Sequence, residues 1–192
     1  MTASAPAAVE RFERLYRESP DPWGYRTSEY EREKYAATLA ALPRRAHGLC
    51  LEVGCSIGVF TGQLAARCEH VVAIDFSFCA LQLARRHLQG VRNVDLLRAG
   101  FPEETPPGSW DLIVCSEVLY YLQRPALEEA IGWIKAQLGF GASVLAVSWR
   151  GVGQEEPLRG DEVHDLLERE LAEWHVLDAR RRGYRLDRFD GR

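Results

Sequence analysis

From residue 49 onward, short apolar runs of strand length alternate with stretches whose apolar residues recur at helical spacing. The strand candidates are "LCLEV" (49–53), "HVVAID" (70–75), "NVDLLRA" (93–99), "WDLIVCS" (110–116) and "ASVLAVSW" (142–149). Between them fall three helices. One follows a small-residue turn and runs through Cys68. The next is capped by Ser77, carries Ala80, Leu81, Ala84 and Leu88 on one face, and ends near Gly90. In the third, Pro125 suits the first turn, Leu127, Ile131, Ile134 and Leu138 form the apolar face, and Gly139 is the stop. Apolar strands joined by helical crossovers predict an α/β fold, with a mostly parallel sheet covered on both faces.

The flanks frame this core. Val9, Phe12, Leu15 and Tyr16 recur at helical spacing, and "SPDPWG" (19–24) ends that pattern. Ser28 followed by Glu31 is a capping-box signal for a second helix, expected to reach about Leu42 and stop at Pro43. Beyond residue 150 a polar loop leads to Asp161, the expected N-cap of a helix bearing Val163, Leu166 and Leu167. "EWHVLDA" and "GYRLDRF" then suit a closing pair of strands. The 192 residues fit one domain. Residues 1–8 are expected as a disordered tail, 9–43 as an N-terminal helical lid and 44–192 as the core.

Composition narrows the function classes. A net charge of -4 and a pI near 5.8 argue against a nucleic-acid partner, which calls for a basic surplus. The five cysteines form no C-x-x-C pair, so neither a disulfide framework nor zinc-ligand spacing is visible, and no metal is expected. "MTASAPAAVE" lacks the basic and apolar regions of a signal peptide, and nothing approaches the ~20 apolar residues of a membrane span. A cytoplasmic protein with a small-molecule partner is expected. Its oligomeric state is not legible.

The turn after the first strand, "LEVGCSIGVFTGQL" (51–64), constrains the ligand. A dinucleotide fingerprint needs G-x-G-x-x-G, but Ser56 and Val59 stand where the second and third glycines belong. A P-loop needs a Gly-Lys-Ser/Thr that is missing. The pattern that remains is Glu52, Gly54, Ser56 and Gly58: a carboxylate ahead of a small-residue turn. That carboxylate suits an ammonium or sulfonium charge rather than a pyrophosphate. Asp75, ending the second strand, is placed to accept hydrogen bonds from ribose hydroxyls. An amino-acid-bearing nucleoside without phosphates matches both acids, and S-adenosylmethionine is one.

On these residues the chain resembles the Rossmann-like, class I S-adenosylmethionine-dependent methyltransferases. "LEVGCSIG" looks like their first motif, "VVAIDFS" their second and "WDLIVCSEVLYYL" their fourth-strand segment. More narrowly, "DPWGYRTSEYEREKY", "SEVLYYL" and "PLRGDEVH" are similar to the NodS-like (nodulation protein S type) family. The resemblance implies a seven-stranded sheet with its last strand antiparallel and helices on both faces. It also implies methyl transfer, to an amino group of an aminosugar or oligosaccharide. Cys55, Phe76 and Ser116 join Gly54, Ser56 and Asp75 as implied cofactor contacts. One departure is Gly100, where many relatives carry an acid facing adenine. Backbone at Gly100 or the ring of Phe101 is the expected substitute, at a cost of about 0.5–1.5 kcal/mol for one lost hydrogen bond.

Methyl transfer needs near-attack geometry and exclusion of water, and an amine acceptor must be neutral to attack. His164 is the candidate base, in the first turn of its helix where the dipole disfavours imidazolium; the alternative is a surface histidine. Glu117 is a candidate for acceptor or cofactor contact, or else a cap. Tyr120 and Tyr121 are candidates to line the cleft, one of them otherwise core. Trp149 and Arg150 suit sugar stacking or plain rim packing. In the lid, Trp23 and Tyr30 are candidate covers for the cofactor, with cation–π attraction of about 0.5–2 kcal/mol, and Lys34 a partner for its carboxylate. Anchoring of the lid to the core is the alternative for Trp23. Three other readings stay open: an O-methyltransferase of a natural-product pathway, a catalytically silent S-adenosylmethionine-binding protein, and a nicotinamide-dependent oxidoreductase, which Ser56 and Val59 disfavour.

Overall fold

Successive residues of "LIVCS" point into different cores: Leu112 and Val114 join one apolar cluster, Ile113 and Cys115 another. A strand buried on both faces needs helices on both sides of its sheet. The computed structural model describes residues 6–43, 47–151 and 156–192. Among them the strands are β1 (His47–Val53), β2 (Cys68–Asp75), β3 (Val94–Arg98), β4 (Leu112–Ser116), β5 (Ser143–Trp149), β6 (His175–Arg180) and β7 (Tyr184–Asp190). They form one sheet in the order β3-β2-β1-β4-β5-β7-β6. β3, β2, β1, β4 and β5 run parallel to one another, and β7 runs antiparallel to both β5 and β6. This is the α/β architecture expected from the alternation, with the closing pair of strands in place.

The helices are α1 (Pro6–Glu18), α2 (Glu29–Ala41), α3 (Val59–Ala65), α4 (Phe78–His87), α5 (Arg124–Gly139) and α6 (Gly160–Glu170). α5 and α6 cover one face of the sheet with Leu127, Ile134, Val163 and Leu167. Tyr35 of α2, Phe60 and Leu64 of α3 and Leu81 of α4 cover the other. The caps follow local chemistry: Ser28 accepts from the Glu31 amide and Ser77 from the Ala80 amide. α1 lies against α4 through Phe12, Tyr16 and Ala80. Its Glu13 carboxylate accepts from the Phe78 amide at 2.5 Å and the Cys79 amide at 3.2 Å. A residue of another helix thus helps satisfy the open amides of the α4 N-terminus.

Several boundaries depart from the expectations. α1 begins at Pro6, inside the stretch expected as a tail; residues 1–5 lie outside the described residues, as do 44–46, where lid was expected to meet core. α3 ends at Ala65, and Cys68 opens β2 instead of closing a helix. Asp161 is not the N-cap of α6. Arg159 holds that position, its amide donating to the Glu162 carboxylate at 2.8 Å, while Asp161 pairs with Arg150 at 2.9 Å. Gly160, the first residue of α6, lies against β5, where a Cβ would meet the Trp149 carbonyl oxygen at 2.1 Å.

Candidate active site

β2 and β3 lie on one side of β1, β4 and β5 on the other, so the order reverses between β1 and β4. Val53 pairs with Cys115 at their carboxyl ends. Ligands of doubly wound sheets bind in the crevice at such a switch point. Here two loops meet, the turn after β1 and the segment Ser116–Glu117 after β4. Gly54 and Gly58 adopt φ of +76° and +79°, and Ser56 and Glu117, neither of them glycine, adopt +52° and +58°. Left-handed backbone at a non-glycine residue is costly and persists only where surrounding structure imposes it.

The bonds that impose it are visible. The Gly54 and Cys55 amides both donate to the Ile74 carbonyl, at 2.9 and 3.0 Å. The Ser56 amide donates to Asp75 Oδ2 at 2.9 Å, while Asp75 Oδ1 accepts from the Ser77 amide at 2.8 Å. The Ser56 hydroxyl is 2.7 Å from the Tyr16 hydroxyl of α1. Glu117 is held as tightly: Oε1 lies 2.6 Å from Lys34 Nζ, and Oε2 accepts from the Tyr120 hydroxyl and the Trp149 amide, both at 2.8 Å.

Two large cavities open on either side of this junction. The first, about 670 Å³ with its mouth, has aromatic walls from Phe12, Tyr16, Trp23, Tyr25, Phe76, Phe101 and Tyr121. Its polar lining comes from Ser56, Asp75, Ser116 and Glu117, with the turn at Gly54. The second, about 750 Å³, is walled by Trp23, Tyr25, Tyr30, Tyr120, Tyr121 and Trp149 and carries Glu31, Lys34, Glu117 and Glu156. Trp23, Tyr25, Glu117 and Tyr121 belong to both. A smaller cavity beneath the turn is lined by Glu52, Cys55, Tyr25 and Glu117, among others.

Burial sets the electrostatics. Glu52 is 3% exposed, its Oε2 has no hydrogen-bond partner, and burial pushes its pKa up to about 7 against the lowering effect of the Thr61 hydroxyl. Burial likewise raises Asp75 to about 6, although two backbone amides pull it down. Glu31 is raised by burial and held back by the neighbouring Lys34. Both neighbouring tyrosines of the second cavity, Tyr120 and Tyr121, are raised by burial, Tyr121 to about 12.

The structure gathers most of the residues singled out from the sequence. Gly54, Ser56, Asp75, Phe76, Phe101, Ser116, Glu117 and Trp23 line the first cavity, and Glu52 and Cys55 the smaller one. Tyr120 lines the second. Four residues sit elsewhere than expected. Gly58 lines none of these cavities; it caps α3, where a Cβ would meet Leu88 and Ala84 of the α4 end at 3.0 and 3.1 Å. Gly100 donates its amide to Glu104 Oε2 at 2.7 Å, leaving Ala99 and Phe101 on the cavity wall. Lys34 and Tyr30 line the second cavity instead of the first, and Lys34 is 1% exposed between Glu31 and Glu117.

His164 corrects the expected base. It is fully buried between α6 and β7, lines none of the three cavities, and its Nδ1 lies 2.5 Å from Asp187 Oδ2. The face of α6 that carries Val163 and Leu167 turns it into the core. Phe12, Tyr16, Tyr25, Glu31 and Glu156 enter the site without having been expected there. Tyr25 and Glu31 lie inside the quoted "GYRTSEYE" segment, but only the packing of α2 across the sheet ends reveals which side chains face the cavities.

Solved structures share this arrangement. A methyltransferase from Pseudomonas syringae is 35% identical, covers 85% of this chain and 99% of its own length, and superposes with a TM-score of 0.74. The N-methyltransferase NodS from Bradyrhizobium japonicum WM9, solved with S-adenosyl-L-homocysteine, is 22% identical with a TM-score of 0.76, covering 95% of this chain and 97% of its own. A sheet of this order with its crevice at the β1–β4 junction defines a Rossmann-like, S-adenosylmethionine-dependent methyltransferase. The family model for nodulation protein S (NodS) matches residues 6–144, and the chain belongs to that family. Nodulation protein S of Rhizobium tropici is 30% identical over 166 residues, spanning 78% of this chain and 70% of the relative.

Proposed function

We propose that the enzyme transfers the methyl group of S-adenosylmethionine to an amino group of a small acceptor, with an aminosugar or amino-bearing glycoside as the favoured class. The observation that carries the amine is the charge of the second cavity: Glu31, Glu117 and Glu156 line it against the single cation Lys34. A wall with carboxylates in excess and six tyrosine or tryptophan rings beside them favours a cationic guest and discriminates against anionic ones. The similarity to a structure named as an N-methyltransferase supports the same reading.

The first and the smaller cavities fit the cofactor. Glu52 offers a buried carboxylate oxygen without a donor, which suits the ammonium of the amino-acid moiety. Asp75 accepts one amide on each oxygen and keeps lone pairs for ribose hydroxyls. Phe76, Ala99 and Phe101 supply the apolar slot for adenine, in place of the acid that Gly100 does not provide. When bound, the cofactor supplies a methyl group activated by a sulfonium. The protein's own part is to hold the acceptor nitrogen in line at the shared wall of Tyr25, Glu117 and Tyr121 and to exclude water with α1 and α2.

Thermal shift with S-adenosyl-L-homocysteine against NAD tests the cofactor, since a ligand at 100 times its Kd stabilises by about 2.7 kcal/mol. Labelled-methyl transfer to glucosamine, N-acetylglucosamine, chitosan oligomers and phenols tests the acceptor. Transfer to the free amines and not to the acetylated sugar is expected; transfer to phenols alone would overturn the amine reading.

A further inference from the structure

Two residues, Tyr25 and Glu117, line both large cavities and the smaller one beneath the turn. Glu117 is already engaged, because Lys34 Nζ, the Tyr120 hydroxyl and the Trp149 amide occupy its two oxygens. Tyr25 is not. Among the described residues its hydroxyl meets no hydrogen-bond partner, and it is not one of the buried orphan atoms, so its oxygen keeps open surface. The other tyrosines of the large cavities have partners: Ser56 for Tyr16 at 2.7 Å, the Gly183 carbonyl for Tyr30 at 2.9 Å, Glu117 for Tyr120, and Tyr120 for Tyr121. The backbone of Tyr25 is fixed in the loop between α1 and α2. There the Asp21 carboxylate accepts from the Tyr25 amide at 2.7 Å and the Arg26 amide at 3.0 Å, and the Trp23 ring lies 5.7 Å from the Tyr25 ring. A side chain held at its base, with a free polar end where three cavities meet, is pre-organised for a ligand.

Resting on the placement of cofactor and amine acceptor described above, we propose that Tyr25 is a catalytic residue whose hydroxyl oxygen accepts a hydrogen bond from the acceptor's N–H during transfer. The acceptor enters as a neutral amine, its proton already lost to solvent. The nitrogen lone pair forms the N–C bond to the methyl carbon as the S–C bond breaks, and that electron pair stays on sulfur as a neutral thioether. Positive charge grows on nitrogen, so its N–H donates to Tyr25 more strongly in the transition state than in the bound amine. Only an interaction that strengthens in this way speeds the step. The product leaves as a methylated ammonium. Burial, with Tyr16, Tyr35, Glu117 and Tyr121 nearby, raises the Tyr25 phenol well above its ordinary value. The hydroxyl therefore stays protonated, and it offers neutral oxygen lone pairs without acting as a base.

The test compares wild type with Tyr25→Phe, which keeps the ring and removes only the hydroxyl. Melting temperature and S-adenosyl-L-homocysteine affinity are measured, together with kcat and KM for glucosamine and a chitosan trimer from about pH 6 to 9.5. Because the hydroxyl has no partner within the protein, the melt should stay within about 2 °C and the affinity within about 2-fold. At every pH kcat should fall about 10- to 100-fold, the worth of one hydrogen bond to a group gaining charge, with KM within about 3-fold. A kcat within about 3-fold of wild type would overturn the assignment. So would a loss of S-adenosyl-L-homocysteine affinity as deep as the loss of rate, which would place the hydroxyl on the cofactor, or a loss of rate confined to low pH, which would make it a proton acceptor. Wild-type inactivity towards every amine alongside activity on hydroxyls would instead show that the amine reading failed, and Tyr25's role with it.

Discussion

Lys34 Nζ, on α2, stands 2.6 Å from Glu117 Oε1, on a residue whose own backbone is left-handed just after β4. The contact joins the N-terminal segment to the point where the sheet order reverses. It also fixes the wall common to both cavities, because Glu117 lines each of them.

Replacing Lys34 with Met would leave Glu31 and Glu117 as two buried carboxylates without their cation. Breaking a buried pair from one side costs about 3–5 kcal/mol, because the remaining charge is uncompensated. At a few degrees per kcal/mol, the variant should melt roughly 10 °C lower. Turnover should fall further than the loss of folded protein explains, since Glu117 would no longer be held. A melt unchanged to within a degree would show that the triad contributes little.

The buried acid of the smaller cavity predicts a pH dependence. Glu52 has a folded pKa of about 7, raised from 4.5 by burial. The stability this group contributes is present below pH 4.5 and is lost as pH rises through 7. An ammonium placed beside the carboxylate reverses that loss by favouring the charged form. S-adenosyl-L-homocysteine should therefore raise the melting temperature more at pH 8 than at pH 5.5, and binding near pH 6.5 should release protons. Calorimetry in two buffers of different ionisation enthalpy measures that release. Proton uptake, or a shift larger at low pH, would remove Glu52 from the ammonium role.

The same residues show how far sequence reading reaches. Strand positions were legible because a doubly covered parallel sheet demands unbroken apolar runs, as in "LIVCS". The meeting of Ser56 and Asp75 on one cavity wall was legible because a small-residue turn after the first strand lies against the end of the second. At Gly58 spacing does not separate two roles, since a left-handed glycine serves close helix packing as readily as a ligand. His164 was misread because a first-turn histidine shows no sign of which way its helix face turns. Glu31 went unseen as a site residue because a capping-box glutamate is expected to fold back on its own helix. Here its carboxylate turns to Lys34, while the Ser28 amide donates instead to the Gly24 carbonyl at 2.8 Å.

His164→Gln tests whether the buried histidine takes any part in the reaction. Asp187 also contacts His175 Nε2 at 3.0 Å and Arg185 Nε at 3.2 Å, so it keeps partners when His164 is replaced. The variant should lose about 1–3 kcal/mol of stability through a disturbed buried hydrogen bond. Its kcat/KM at 20 °C, corrected for folded fraction, should stay within about 3-fold of wild type. A loss of 100-fold with the fold intact would return His164 to the reaction.

Glu13 offers a test of whether α1 gates the first cavity. Its carboxylate accepts two α4 amides, and although burial raises its pKa, hydrogen bonds from Cys79 and Phe78 outweigh that and lower it overall. The stabilisation is therefore present above the ordinary carboxylate range and is lost as pH falls through the lowered value. One turn further along, Tyr16 bonds Ser56, and Phe12, just before Glu13, meets Phe76 and Tyr121 edge-on at 5.3 and 5.2 Å. Glu13 thus fastens the helix whose rings close the first cavity. Glu13→Ala should cost about 0.5–2 kcal/mol, the range for a lost helix cap. Because α1 would then leave the cavity more often, S-adenosyl-L-homocysteine should dissociate roughly 3- to 10-fold faster, in keeping with about 1 kcal/mol lost from the closed form. Stopped-flow displacement of the bound product by excess S-adenosylmethionine reads that rate. An unchanged dissociation rate in a destabilised variant would show that α1 stabilises the fold without gating the cavity.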